Sequence, residues 1–275
     1  MSLDLMFITN DINIASEAEI AGVDRIFIDL EKNGKLERQG HLDTHIAEHY
    51  ISDVKKIKNV LKKADLIVRI NPLFQGTKEE VEKCIEYGAD IIMLPMFKTK
   101  EEVARFIEYV NGRARVSLLL ETAQAFIRVN QIVEIEGINE IHIGLNDLHL
   151  SLGLDFMFEL LSEGIIDYLA NIVKGKGIKF GFGGIARIGE GVIPAELVIG
   201  EHYRLGSEVA ILSRTFRNDA SLNNKFNNTV NIREEVEKLR SYEHYLLKQD
   251  DSFFVENSFN FRSLVRKYVT NLNKK

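Results

Sequence analysis

The chain has 275 residues, 45% hydrophobic and 28% charged, with three Pro, one Cys and no Trp, a balance that excludes disordered, collagenous and disulfide-stapled classes. Its 41 acidic against 35 basic residues give a formal charge of -6, a field that repels nucleic acid and anionic membranes. No apolar run approaches the roughly 18 residues of a membrane span, and no basic targeting segment opens the chain, so the expectation is a cytoplasmic protein with neither nucleic-acid nor membrane partners.

From Leu5 to about Ser213, short apolar runs alternate with longer amphipathic stretches, the pattern of a parallel sheet with helical crossovers. The strand candidates are Leu5–Ile8, Arg25–Asp29, Leu66–Ile70, Ile91–Pro95, Val116–Glu121, Glu140–Gly144, Ile178–Phe182 and Tyr203–Gly206. Units in this number predict a closed (β/α)8 barrel, the TIM-barrel architecture. Between them, Thr77–Tyr87 places Val81, Cys84 and Ile85 on one face, and Thr99–Val110 does the same with Val103, Phe106, Ile107 and Val110. Each opens on a Thr read as an N-cap, and Cys84 reads as a small buried apolar residue. Gly22 and Gly88 each follow a helix and precede a strand, as left-handed C-caps do. We assign residues 1–217 to the barrel and 218–275 to a C-terminal helical extension. Its first helix carries Ile232, Val236, Leu239, Tyr242 and Leu246 as an apolar stripe. Such a stripe must be buried, on its own barrel or on a neighbouring subunit.

In a parallel barrel the active site lies at the carboxyl ends of the strands. Here apolar runs break into charge at Glu31, Arg69, Glu121 and Asp147. One such break is an ordinary strand-to-loop transition, but four form a pattern. Glu121 and Asp147 on neighbouring strands bring together two hard oxygen ligands with room for water and substrate, the manner in which Mg2+ is held. Arg69 then balances their charge or clamps a carboxylate or enolate oxygen. The alternative is a purely structural ion-pair network at the barrel mouth.

Four segments, Val68-Arg69-Ile70-Asn71-Pro72, Gly88 through Met96, Leu120-Glu121-Thr122 and Ile143 through Leu148, resemble the HpcH/HpaI aldolase and citrate lyase β-subunit family. Leu205-Gly206-Ser207, read as preceding the last barrel helix, extends the resemblance over about residues 5 to 215. The resemblance implies a metal-dependent lyase that makes or breaks a carbon–carbon bond next to a pyruvate-like enolate, with a small oxo acid as substrate. It implies Glu121 and Asp147 as ligands of a divalent metal (Mg2+, or Mn2+ or Co2+) and Arg69 as the residue that steadies the enolate. Gly144, Leu145 and Asn146 become the turn that receives the substrate carboxylate. It also implies a homo-oligomer, a trimer or hexamer, and the apolar stripe added after a closed barrel predicts that the tail crosses to a neighbour.

Two departures stand out. The aldolase branch places a catalytic His after the acidic residue that ends strand two, whereas Glu31 here is followed by Lys32. The lyase branch reads Asp-Leu-Glu-Asp where this chain reads Asp29-Leu30-Glu31-Lys32. The acid that partners the missing His corresponds to Glu86, which predicts a Lys32–Glu86 ion pair, and an ion-paired Lys is a poor base. Proton transfer then falls to metal-bound water, oriented by Glu31 or by a His of the next loop, where His41, His45 and His49 recur every four residues, with His45 the first candidate and His41 the second. On a helix the outer two stand about 12 Å apart, too far for one metal ion. His142 alternates with buried strand positions and reads as structural. Gly181 through Ala186 fits G-x-G-x-x-A, but in the seventh unit of a barrel that spacing fits an anion-binding loop better than a dinucleotide site. The resulting reading is a pyruvate-type aldolase acting on a 4-hydroxy-2-oxo acid. Its rivals are a lyase of citryl- or malyl-CoA and a catalytically silent oxo-acid-binding barrel.

Overall fold

The computed structural model describes residues 2–33, 48–217 and 230–274. Eight strands, β1 (Asp4–Ile8), β2 (Arg25–Asp29), β3 (Asp65–Arg69), β4 (Ile91–Leu94), β5 (Arg115–Leu120), β6 (Glu140–Ile143), β7 (Lys179–Ile185) and β8 (Val209–Leu212), pair in parallel and in chain order into a closed barrel. The helices are α1 (Ile12–Ile20), α2 (Ile51–Lys58), α3 (Thr77–Glu86), α4 (Lys100–Val110), α5 (Ala123–Ile127) and α6 (Val129–Ile132). After β6 come α7 (Leu145–Leu152), α8 (Glu159–Ser162), α9 (Ile165–Gly175), α10 (Ala195–Leu205), α11 (Ile232–Leu246) and α12 (Asp251–Leu272).

The interior is layered because alternate residues of every strand point inward. At the closed end Arg25, 1% exposed, lies between Asp4 at 2.8 Å and Glu140 at 2.7 Å, and Lys179 adds a 2.6 Å contact to Asp4. Met6, Phe27, Ile67, Ile91, Met93, Leu119 and Val209 fill the middle. The next inward positions, Asp29 and Arg69, with Glu121 and Gly144 one residue past their strands, ring the mouth. A dry apolar plug under a polar rim confines the chemistry to one end of the barrel.

Three expectations need correction. The segment Tyr203–Gly206 is the end of α10 and its left-handed cap, Gly206 at φ 64°, and the eighth strand follows at Val209. Leu205-Gly206-Ser207 therefore precedes the last strand, not the last helix. Thr77 lies inside α3, where its hydroxyl accepts from the Phe74 amide, and Gly76 is the N-cap. Thr99 does cap α4, in a reciprocal box with Glu102. Gly22 and Gly88 hold φ values of 93° and 92°, as left-handed helix ends require.

The tail packs on the chain's own barrel. Ile232, Val236, Leu239 and Leu246 of α11 are buried in the main core, which α1 and α10 share. Glu243 accepts from the Leu3 amide at 2.8 Å and the Tyr203 hydroxyl at 3.1 Å, tying α11 to β1. On α12, Asn257, Phe261 and Val265 are buried against α8 and α10. The stripe that was a reason to invoke a neighbouring subunit is thus covered within one chain.

Candidate active site

The site is built on the tips of β2 and β3. Register pairs Asp29 with Arg69 directly, so two inward side chains of opposite charge meet side by side. Asp29 takes a two-pronged grip on the guanidinium, Oδ1 accepting from Nε at 2.9 Å and Oδ2 from Nη2 at 2.8 Å. Glu31, 4% exposed, stands 3.2 Å from Arg69 Nη1. Burial works against the Arg69 charge, but Asp29, Glu31 and, more weakly, Glu121 raise its pKa above the ordinary arginine value. Arg69 is a permanent cation at the floor of the mouth.

Glu121 leaves β5 one residue past its end and is 2% exposed. The Met96 amide donates to its Oε1 at 3.1 Å, and Met96 adopts a positive φ of 54° to do so, a backbone cost seen where function over-determines a conformation. Across the β5–β6 boundary Gly144 leaves room for the other oxygen: a Cβ there would stand 2.8 Å from Glu121 Oε2. Burial pushes the Glu121 carboxyl up to about 8; Arg69 opposes this, while the charges of Glu31 and Asp147 reinforce it. Asp147 lies in the first turn of α7, half-buried. Gly144 is the N-cap of that helix, and Leu145 and Asn146 are its first residues, whose amides have no partner within the helix.

Glu121 therefore gives up its proton readily only when a further cation offsets its burial and the nearby acidic groups Glu31 and Asp147. Two carboxylates in one charge field, leaving coordination positions for water and substrate, form a donor set that fits a hard divalent cation. Among the described residues, no cluster of three or more His, Cys, Asp or Glu is arranged for a metal, so the substrate and water would complete the shell.

The predicted Lys32–Glu86 pair is not formed. Glu86 ends α3, at the far end of the helix from the mouth, and pairs with Lys83 at 2.8 Å. Lys32 is exposed, with its ammonium 4.5 Å above the Tyr50 ring. The mismatch has a plain cause: α3 runs away from the mouth, so its last turn cannot reach a residue at the tip of β2. His41 and His45 lie outside the described residues. His49 is buried, and its Nδ1 accepts from the Asp29 amide at 2.9 Å, replacing the neighbour strand where β1 ends. Its proton therefore sits on Nε2. Asp29 and Asn71 were not singled out in the sequence as site residues, and His49 only as one of three loop histidines; for Asp29 the alternation Arg25, Phe27, Asp29 was the signal that could have found it. Gly181 and Gly183 are packing positions: a Cβ at Gly181 would meet Val209 O at 2.6 Å and His142 Nδ1 at 2.8 Å, and one at Gly183 would meet Leu145 Cδ1 at 2.5 Å. No nucleotide approaches a glycine buried so closely in the barrel wall.

A family model, HpcH/HpaI aldolase/citrate lyase, matches residues 5–157. The chain belongs to this family. The match takes in β1 through α7, and with them every element that carries Asp29, Arg69, Glu121 and Asp147. Members are lyases and aldolases that generally use a divalent metal. Among solved structures, an HpcH/HpaI aldolase from Desulfitobacterium hafniense DCB-2 superposes with a TM-score of 0.60 at 14% identity, covering 77% of this chain and 86% of that one. An HpcH/HpaI aldolase/citrate lyase family protein from Burkholderia cenocepacia J2315 gives 0.60 at 14%, covering 90% and 95%. The citrate synthase SbnG gives 0.58 at 17%, covering 77% and 85%. At these identities the likeness is one of fold. A search of curated proteins found no match. No helix among the described residues of this family member is long and apolar enough to cross a membrane.

Proposed function

We propose that the chain is a divalent-metal-dependent carbon–carbon lyase that cleaves a 4-hydroxy-2-oxo acid into pyruvate and an aldehyde through an enolate. The observation that carries this reading is the permanently charged Arg69, anchored by Asp29 and Glu31, beside the neighbouring carboxyl groups of Glu121 and Asp147. Glu121 and Asp147 would hold the cation, which when bound supplies Lewis-acid polarisation of the 2-oxo group. Arg69 needs no reorganisation to stabilise oxygen charge as it develops, because its two carboxylates already fix its orientation. The amides at the start of α7, from Leu145 and Asn146, receive the substrate carboxylate at a helix N-terminus, while the Gly144 amide, read from the sequence as part of that turn, donates to the Leu120 carbonyl at 3.0 Å and serves the turn only through its backbone. Proton transfer is assigned to Glu31, which touches Arg69, or to His45 of the loop after β2. Lys32 stands at the rim in contact with Tyr50, placed to meet the distal part of the substrate.

Exchange of pyruvate methyl protons with solvent deuterium tests the proposal. Mg2+ or Mn2+ should stimulate it and a chelator should remove it. Replacing Arg69 with Met should slow it by about 100-fold, as loss of a preorganised oxyanion donor does. Pyruvate that stays protiated in the presence of metal would overturn the reading.

A further inference from the structure

Regular pairing of β2 with β3 ends where Leu30 donates its amide to the Arg69 carbonyl at 2.9 Å. The chain then turns away, yet its next exposed amides are not left to water. Lys32 N and Asn33 N both donate to one atom, Asn71 Oδ1, at 2.9 and 3.1 Å. Asn71 is in turn gripped by Glu80, from the first turn of α3. Its Nδ2 donates to Glu80 Oε1 at 2.7 Å, and its backbone N donates to Oε2 at 3.2 Å.

A carboxylate can only accept, so Glu80 decides which way the Asn71 amide faces. In the flipped orientation Nδ2 would confront two N–H groups and Oδ1 would confront a carboxylate. The negative charge on α3 therefore aims an acceptor at the β2 loop. Glu31 lies between two anchors: its own amide donates to Asp29 Oδ1 at 3.2 Å, and the following amide is held by Asn71. The Asp29 side is secured by Arg69, so the remaining freedom of Glu31 is governed from Asn71. Burial favours the neutral form of Glu80 and raises its pKa, and the two Asn71 donors oppose that shift.

We propose that Glu80, acting through Asn71, is a positioning residue for Glu31, holding that carboxylate against Arg69 in the working site. The proposal rests on the reading of the mouth as an enolate site. Neither Glu80 nor Asn71 touches the reacting atoms. Their effect is on where Glu31 stands relative to the guanidinium, and a misplacement of about 1 Å costs on the order of 100-fold in rate.

Two readouts on the full chain test it, using Asn71→Ala, Glu80→Ala and Glu80→Gln. The first is native-state hydrogen exchange at the Lys32 and Asn33 amides, which requires no activity. Exchange there should accelerate by about tenfold or more in both alanine variants, since only locally opened amides respond, while amides of β5 keep wild-type protection. Glu80→Gln retains one acceptor for Asn71 and should fall between. The second readout is metal-stimulated deuterium exchange of pyruvate. The alanine variants should lose about 10- to 100-fold in kcat, with metal affinity at Glu121 and Asp147 within about twofold of wild type. If Glu80→Ala does not fold, Asn71→Ala and Glu80→Gln carry the test. Unchanged protection at residues 32 and 33 would overturn the proposal, and loosened amides with unchanged kcat would reduce the bracket to a structural role and overturn it equally. A wild-type chain that fails to exchange pyruvate would sink the enolate reading, while the amide measurement would still report on the bracket itself.

Discussion

Gly144 packs so closely against Glu121 that the position has no room for a side chain, and the fit between them is testable. A methyl group at position 144 would stand 2.8 Å from Glu121 Oε2 and 2.9 Å from its Cβ, closer than real Cβ contacts allow, so Glu121 must shift. Gly144→Ala should therefore cost about 1–3 kcal/mol in stability, as other overpacked positions do. It should also weaken Mg2+ or Mn2+ binding by at least about tenfold, the equivalent of 1.4 kcal/mol, in calorimetric titration. Asp147→Ala should abolish metal binding and leave the far-ultraviolet circular dichroism of the barrel unchanged, because Asp147 is half-buried at a helix start and belongs to no apolar cluster. Retained affinity in that variant would remove Asp147 from the ligand set. Arg69 and Glu121 were legible in the sequence because each breaks an apolar run at a strand end, and Asp147 because it follows the β6 run closely, although it stands in the first turn of α7. Asn71 and Glu80 were not, since a polar residue near a helix start has many ordinary uses and nothing in the linear order says that two distant amides point at it.

At the scale of elements, β6, β7 and α10 enclose two histidines that make the fold sensitive to acid. His142 faces the interior and donates from Nε2 to the Gly183 carbonyl at 3.1 Å. His202 on α10 stacks on Phe182 at 3.8 Å between ring centroids, with Nδ1 2.8 Å from Ser207 Oγ. Burial lowers the first to about 4 and the second to about 3. In the unfolded chain both titrate near about 6.5, so below that pH the unfolded state binds more protons than the folded one. Their contribution to stability is complete above about pH 6.5 and is lost as the pH falls toward the folded-state values, by up to about 1.4 kcal/mol per pH unit for each histidine. Urea titrations at pH 7 and pH 5 should show the loss, and His202→Gln should reduce its slope by about half. An equal slope in the variant would assign the acid sensitivity to other groups. The sequence marked most of these elements well: β2 was bounded as observed because Gly22 and the charged pair Glu31-Lys32 punctuate it. It failed at β8, where Tyr203-Arg204-Leu205-Gly206 has the look of a short strand. A brief apolar run carries no period of its own, and only its continuity with the preceding helical turns makes it the end of α10.

Across the whole molecule, α11 and α12 close over the barrel instead of extending from it. Glu243, 2% exposed, joins Leu3 of the first strand segment, Tyr203 of α10 and Arg240 of its own helix. Replacing it with Ala leaves the buried Leu3 amide without its acceptor and Arg240 with Asp24 as its remaining carboxylate partner, and should cost about 1–3 kcal/mol in urea denaturation. A change below about 0.5 kcal/mol, the level of an ordinary surface substitution, would show that the tail contributes little to barrel stability. The linear sequence by itself determined the barrel and the charged residues gathered at one end of it. Those follow from hydrophobic period and from where each period breaks, which are local properties of the chain. Only the tertiary structure decided that Glu86 faces away from Lys32, that the apolar stripe of α11 is covered by the chain's own barrel, and that one Asn amide ties the β2 loop to α3. Each depends on which surfaces meet after the strands have closed into a ring, and helix direction, packing partner and amide orientation are set by that closure and not by any spacing along the chain.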